Sequence, residues 1–316
     1  MYKSVVIGGG PSGLSAAIHL ALANLEPLVI KGHEPSKYLA TTRELESYPG
    51  FPRGVDGPAL LDDMSKQAER YGARIRTGNV HRVDLSRRPF RIELLGRETI
   101  EAESVIIATG ASFKLLGIPG EESNIGRGVS ICAPCSGFFA TGKKVIVVGG
   151  GDSALEEAIY LTRYASEVVV VHRRGELRAS RGMQERAQRH SKISFAYERT
   201  PLEVLSDERG VTGLRVMNHT SGQEESIEAE RVYVAIGTKP NTEFLNGQLP
   251  MDSKGYLLSK PGTTETAIPG VFVCGDVQDP RYGQITSAIG SGSMAAVDCE
   301  RYLNEVEDAV PAGAGV

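Results

Sequence analysis

The sequence predicts an α/β chain built around two βαβ units, and three observations carry that expectation. Near the start, the apolar run Lys3–Ile7 leads into Gly8-Gly9-Gly10-Pro11-Ser12-Gly13, a helical stretch Leu14–Ala23 and a second apolar run, Pro27–Ile30. In mid-chain the order repeats: Lys144–Val148, Gly149-Gly150-Gly151-Asp152-Ser153-Ala154, a helix over Ala154–Tyr164 and Val168–Val171. The third observation is length, because 316 residues are enough for about two domains of ordinary size.

Each glycine loop has a strand before it and a helix after it, the context that gives a G-x-G-x-x-G/A run its meaning. Gly8 permits the tight turn, Gly10 lets a pyrophosphate approach the backbone, and Gly13 lets the helix pack on the strand with its N-terminus toward the phosphates. Gly149, Gly151 and Ala154 hold the same places in the second loop. The fold class expected is therefore α/β with two Rossmann-like dinucleotide-binding domains. The two units differ where their second strand ends. Glu34 follows the first and is the candidate for ribose hydroxyls. His172, Arg173, Arg174 and, one turn on, Arg178 follow the second, and arginines grip a 2′-phosphate in bidentate fashion. Unlike strand ends imply unlike dinucleotides: the basic one suits NADPH and the first suits FAD.

The elements between follow from pattern. Pro58–Tyr71 reads as an amphipathic helix through Leu60, Leu61, Met64 and Ala68. Short strands are expected near Arg74–Arg76, His81–Asp84 and Phe90–Leu94. Val105–Ile107 reads as a buried strand whose end, Ala108-Thr109-Gly110, places Thr109 and Gly110 against the cofactor. Val232–Ala235 closes the second unit. Val271–Val273 is a strand ending in Cys274-Gly275-Asp276, where Gly275 and Asp276 face the ribityl chain of a flavin. Ala288–Leu303 is the last helix.

The chemistry is expected at Cys132-Ala133-Pro134-Cys135. Two thiols at this spacing can close a disulfide without large backbone movement and cycle between two redox states. Half of a zinc site is the rival reading, but it needs a second Cys or His pair at ligand spacing. Cys274 and Cys299 stand far apart without such companions, so no metal is expected. Net charge is −4, which argues against a general affinity for nucleic acid. The first strand begins at about Lys3, leaving no room for a signal peptide. No apolar run reaches the ~18 residues of a membrane span. The chain reads as soluble and cytoplasmic.

Taken together, these residues resemble the low-molecular-weight thioredoxin reductases over nearly the whole length. The resemblance rests on Gly8–Gly13, Tyr48-Pro49-Gly50-Phe51-Pro52, Cys132-Ala133-Pro134-Cys135, Gly149–Ala154, His172-Arg173-Arg174 with Arg178, and Gly275-Asp276-Val277-Gln278-Asp279. It implies an FAD domain over residues 1–115 and 246–316, with an NADPH domain carrying the disulfide, residues 116–245, inserted between. It also implies a homodimer and a rotation between domains in turnover. Electrons would pass from NADPH through FAD to Cys132–Cys135, with Cys135 nearer the flavin and Cys132 attacking thioredoxin or a similar protein disulfide.

Four positions depart from the family pattern. Lys37-Tyr38-Leu39 replaces Gly-Gln-Leu beside the flavin, Ser47 replaces an Asn, Ser136 replaces the acid after the second Cys, and Gly283-Gln284-Ile285 replaces Arg-Gln-Ala. Tyr38, Ser47 and Gln284 are accordingly the flavin-side candidates in these segments; Tyr38 and Ser47 differ from the family pattern, and Gln284 keeps the family's residue. Ser136 predicts a slow flavin-to-disulfide step or a proton route through another group. The altered loop also admits a second reading, a diflavin-linked disulfide oxidoreductase. There a second FAD takes the place of NADPH, Tyr38 offers a stacking surface, and electrons run from dithiol to flavin. A third reading, a flavin-binding sensor without turnover, is opposed by the intact Cys pair.

Overall fold

The computed structural model describes residues 1–33, 39 and 45–309. Glu34 and Tyr38, two of the expected cofactor contacts, lie outside the described residues. The strands in chain order are β1 (Tyr2–Ile7), β2 (Leu28–Lys31), β3 (Arg74–Thr77), β4 (Val80–Asp84), β5 (Phe90–Leu94), β6 (Thr99–Ile107), β7 (Ala111–Phe113), β8 (Val129–Ser130) and β9 (Lys144–Val148). They continue as β10 (Glu167–His172), β11 (Ile193–Tyr197), β12 (Arg199–Asp207), β13 (Gly210–Asn218), β14 (Gln223–Glu228), β15 (Arg231–Val234), β16 (Thr238–Pro240) and β17 (Val271–Val273). The described helices are α1 (Pro11–Leu22), α2 (Gly57–Arg70), α3 (Ala133–Ser136), α4 (Asp152–Leu161), α5 (Arg181–Gln188) and α6 (Ile285–Asp308).

The chain forms two compact units, one of Met1–Ala40, Gly57–Ser112 and Lys239–Val316, the other of Thr41–Asp56 and Phe113–Thr238. In the first, the strands run β3-β2-β1-β6-β5-β4, with β17 also on β6. β1, β2, β3, β6 and β17 are parallel. The central strands carry continuous apolar runs because both faces are covered; Val5 and Val6 are fully buried, whereas β3, at the sheet edge, is Arg-Ile-Arg-Thr and mostly exposed. β6 is longer than the apolar run Val105–Ile107. Its first half pairs antiparallel with β5, and its second half pairs with β17. The core gathers Val5, Ile7, Leu28, Ile30, Ile92, Val105, Ile107 and Val273.

The second unit repeats the design with a parallel sheet in the order β11-β10-β9-β15-β8. Val145, Val147, Val168, Val170 and Tyr233 pack beneath Leu155 and Leu161 of α4. An antiparallel sheet, β12-β13-β14, completes the unit. Register brings the functional loops to the carboxyl ends of neighbouring strands. In unit 1, Ile107 pairs with both Ile7 and Val273, so the loops that follow emerge side by side. In unit 2, Val148 pairs with Val171 and Val234.

Candidate functional site

The first loop is shaped by close backbone approach. Gly8 has φ +123°, and a Cβ there would lie 2.2 Å from the Ala108 carbonyl oxygen. At Gly10, by contrast, a Cβ would meet nothing within 4 Å, which leaves open space above the N-terminus of α1. Gly13, in the first turn of α1, packs directly against the Gly8 carbonyl. From the neighbouring strand, Thr109 is tied back: its hydroxyl donates to the Asn241 carbonyl at 2.7 Å, and the Asn241 amide donates to the Thr109 carbonyl at 2.9 Å. The Asn241 N–H donates to the carbonyl of Gly110 at 3.0 Å. Asn241 was not among the expected site residues, although it stands just beyond the strand end Ile236-Gly237.

The third loop brings Gly275 and Asp276. The Gly275 N–H donates to the Ser291 hydroxyl at 2.9 Å. Asp276 Oδ1 is buried without a hydrogen-bond partner among the described residues. Burial, with Asp279 adding repulsion, pushes the Asp276 carboxyl up to about 6. A buried acceptor without a donor fits a ligand that brings hydroxyls. The open Gly10 and the helix N-terminus fit a pyrophosphate. These residues therefore suit the FAD implied by the sequence. Gln284 caps the start of α6 and its amide reaches the Tyr282 carbonyl at 3.4 Å. Ser47 is exposed, in the turn closed by the Leu45–Val55 bridge, and belongs to the second unit.

In the second loop, the tight position is Gly150. A Cβ there would stand 2.3 Å from the His172 ring. His172 is buried, its Nε2 lies 3.1 Å from the Glu176 carbonyl, and burial lowers its pKa. It thus supports the loop from below. Gly149 and Ala154 pack against one another, while Gly151 faces open space. The carbonyl of Gly150 receives the N–H groups of Arg178 at 2.7 Å and Ala179 at 3.0 Å. Asp152 Oδ1 receives the Ser180 N–H at 2.9 Å and its hydroxyl at 2.7 Å. Arg173, Arg174 and Arg178 are exposed. Three exposed arginines beside a glycine loop fit an additional phosphate.

Cys132 and Cys135 are joined, with an S–S distance of 2.02 Å and Cα atoms 5.4 Å apart. Cys132 caps the short helix α3, and its Sγ accepts the Cys135 N–H at 3.3 Å. That bond would favour a thiolate on Cys132 after reduction. Cys132 is 8% exposed, and Cys135 is half-buried. The Ser136 hydroxyl is taken up by oxygen partners. It donates to the Cys132 carbonyl at 3.1 Å and lies 2.8 Å from the Ser130 hydroxyl. Cys274 and Cys299 are free and buried, and burial pushes their thiols up to about 12 and about 11. Their chemistry is inert beside that of the linked pair.

Residues 2–292 match the family described as pyridine nucleotide-disulphide oxidoreductase. A thioredoxin reductase of Rickettsia felis is 44% identical over 96% of this chain and 98% of its own. The chain belongs to the pyridine nucleotide-disulphide oxidoreductases, among the thioredoxin reductases. A relative from Mycobacterium leprae, a bifunctional thioredoxin reductase/thioredoxin, is 45% identical over 96% of this chain and 66% of its own. Among solved structures, thioredoxin reductase from Giardia duodenalis superposes with a TM-score of 0.91 at 41% identity, covering 96% of this chain and 98% of that one. The disulphide of the family name has its counterpart here in Cys132–Cys135. As an oxidoreductase of this family, the chain pairs a redox-active disulfide with two dinucleotide-binding folds.

Proposed function

We propose that the chain is an NADPH-dependent disulfide reductase that passes electrons through FAD and Cys132–Cys135 to thioredoxin or a similar protein disulfide. The observation that carries this reading is the closed Cys132–Cys135 disulfide, set in the same unit as a glycine loop edged by exposed arginines. Bound NADPH and FAD would supply and relay the two electrons.

The chain's own residues bind and aim. Gly8, Gly10 and Gly13 admit the FAD pyrophosphate to the backbone and the N-terminus of α1. Asp276 accepts from its hydroxyls, and Thr109, Gly110, Gly275 and Gln284 border the same loops. Gly149, Gly151 and Ala154 admit the NADPH pyrophosphate, His172 props that loop, and Arg173, Arg174 and Arg178 read the 2′-phosphate. Glu34, Tyr38 and Ser47 complete the proposed FAD contacts. Residues 1–115 and 246–316 are the proposed FAD domain, and residues 116–245 the proposed NADPH domain. Once the disulfide opens, Cys132, with the Cys135 N–H on its sulfur, attacks the partner disulfide, and Cys135 resolves the mixed disulfide.

Two further parts of the reading are a homodimer and a cytoplasmic setting. No helix among the described residues is long and apolar enough to cross a membrane. Exposed Met294 and Val297 on α6 support a partner surface, and sedimentation at twice the chain mass would support the dimer. The enzyme assay is NADPH-dependent reduction of thioredoxin. Cys132→Ser and Cys135→Ser should each abolish it while leaving FAD bound. Full turnover in either variant would sink the assignment.

A further inference from the structure

The reading above leaves the proton side of disulfide opening unassigned. The motif has Ser136 where an acid would stand, and its hydroxyl is committed to the Cys132 carbonyl and Ser130. A carboxylic acid does lie under the thiol helix, but on α4. Glu157 is half-buried and lies one helical turn from the buried Ala154 and Leu161 and next to Ala158. Its carboxyl Oε2 is buried and has no hydrogen-bond partner among the described residues. The carboxyl lies close enough to the backbone N–H of Ala133, the residue that follows Cys132, for that dipole to act on it, where α3 packs on α4.

The charged and titratable groups around it come from two elements. They are Glu156 on α4 and Tyr233 on β15; Tyr233 in turn neighbours Tyr160 of α4 and Arg231 of β15. Tyr233 donates its hydroxyl to the Ser136 carbonyl at 3.2 Å, and Arg231 donates Nε to the Phe139 carbonyl at 2.8 Å. Neither supplies a donor to Oε2. Burial therefore pushes the Glu157 carboxyl up to about 8; the Ala133 N–H pulls the other way, and Glu156 adds to the rise. At neutral pH the group is an uncharged acid.

We propose that Glu157 is a positioning residue for the Cys132–Cys135 couple. Protonated beneath Ala133, it leaves the floor of the thiol helix uncharged, and once ionised it opposes the thiolate that opening the disulfide creates. The inference rests on Cys132–Cys135 being the redox couple. In the step itself the Sγ–Sγ bond breaks. Two electrons from the pyridine nucleotide and one proton give one thiol and one thiolate, and a second proton completes the dithiol. An ionised Glu157 places a like charge in the same low-dielectric space, so the reduced form is disfavoured and the couple becomes more reducing. By the same coupling, the thiolate strengthens the hold of Glu157 on its proton.

The test follows the disulfide directly in the FAD-loaded holoenzyme. Wild type and Glu157→Gln are equilibrated with dithiol/disulfide buffers from pH 6 to 10, and the fraction of Cys132 and Cys135 alkylated is read by mass spectrometry. The two proteins should coincide at pH 6.5. At pH 9.5 wild type should be about tenfold harder to reduce than the variant, a difference of about 30 mV for a two-electron couple. Superimposed curves across the whole range would overturn the proposal. Should Glu157→Gln fail to fold, infrared difference spectra of wild type between disulfide and dithiol forms replace it. A protonated-carboxyl band present at pH 7 and lost by pH 9.5 supports the assignment, and a spectrum without that band overturns it. A Cys pair that does not titrate at all would remove the redox couple, and with it the functional reading as well as this inference.

Discussion

Arg173, Arg174 and Arg178 stand exposed past the end of β10, beside the carbonyl of Gly150 that Arg178 itself anchors. Replacing Arg173 and Arg174 with alanine is expected to weaken NADPH by about 1.5–3 kcal/mol for each charge-assisted hydrogen bond removed, while NADH is little affected. Steady-state KM values for the two nucleotides check this, and equal weakening would show that the guanidinium groups do not read the 2′-phosphate. Asp276→Asn should lower FAD affinity by about tenfold or more, because a buried acceptor for ligand hydroxyls becomes in part a donor; fluorescence titration of the apoprotein measures it. At this scale the sequence showed residues whose chemistry depends on neighbours in the chain, such as the Cys pair, the glycines and the arginine run. It did not show Asn241, which meets Thr109 only across a gap of 132 positions. Nor did it flag Glu157, though an acid beside an apolar helical stripe is a signal that burial by α3 turns into a perturbed group.

At the scale of elements, the two βαβ units were legible because parallel strands buried on both faces write continuous apolar runs. β6 extends further than its run because Thr99–Ala102 is paired on β5 as an antiparallel ribbon, where polar residues alternate with Ile100 and Ala102. The β12-β13-β14 sheet carried its own signal, alternating strands around the turn Glu208-Arg209-Gly210, yet no βαβ logic required it. Tight packing makes two substitutions informative. Gly150→Ala should destabilise the second unit by about 1–3 kcal/mol, since the new Cβ meets a His172 ring fixed by Glu176. Gly292→Ala should do the same where α6 crosses α1, because the Cβ would stand 2.1 Å from the Ser12 carbonyl oxygen. Denaturant midpoints at unchanged m-value give both numbers.

For the whole molecule, the buried carboxyl of Glu157 makes stability depend on pH. Its native pKa, about 8, lies above the ordinary 4.5, so the folded chain keeps a proton that the unfolded chain releases. The contribution of this group is fully present below about pH 4.5, falls as pH rises to about 8 and is level beyond. The total decrease is on the order of 5 kcal/mol. Glu157→Gln should therefore stabilise the chain more at pH 9 than at pH 5 relative to wild type, as measured by chemical unfolding at the two values. The sequence by itself determined the fold class, the two dinucleotide loops, the redox pair and the contrast between the two strand ends. All of these are local patterns whose meaning comes from period, spacing and residue type. Only the tertiary structure decided that Asp276 is a buried acceptor without a donor among the described residues, that His172 supports a loop from below, that the Ser136 hydroxyl is bonded to the Cys132 carbonyl, and that an acid on α4 lies beside the backbone of the thiol helix. Burial and hydrogen bonding are set by elements far apart in the chain, and they fix the charge state and direction of a side chain that its own neighbours in sequence leave open.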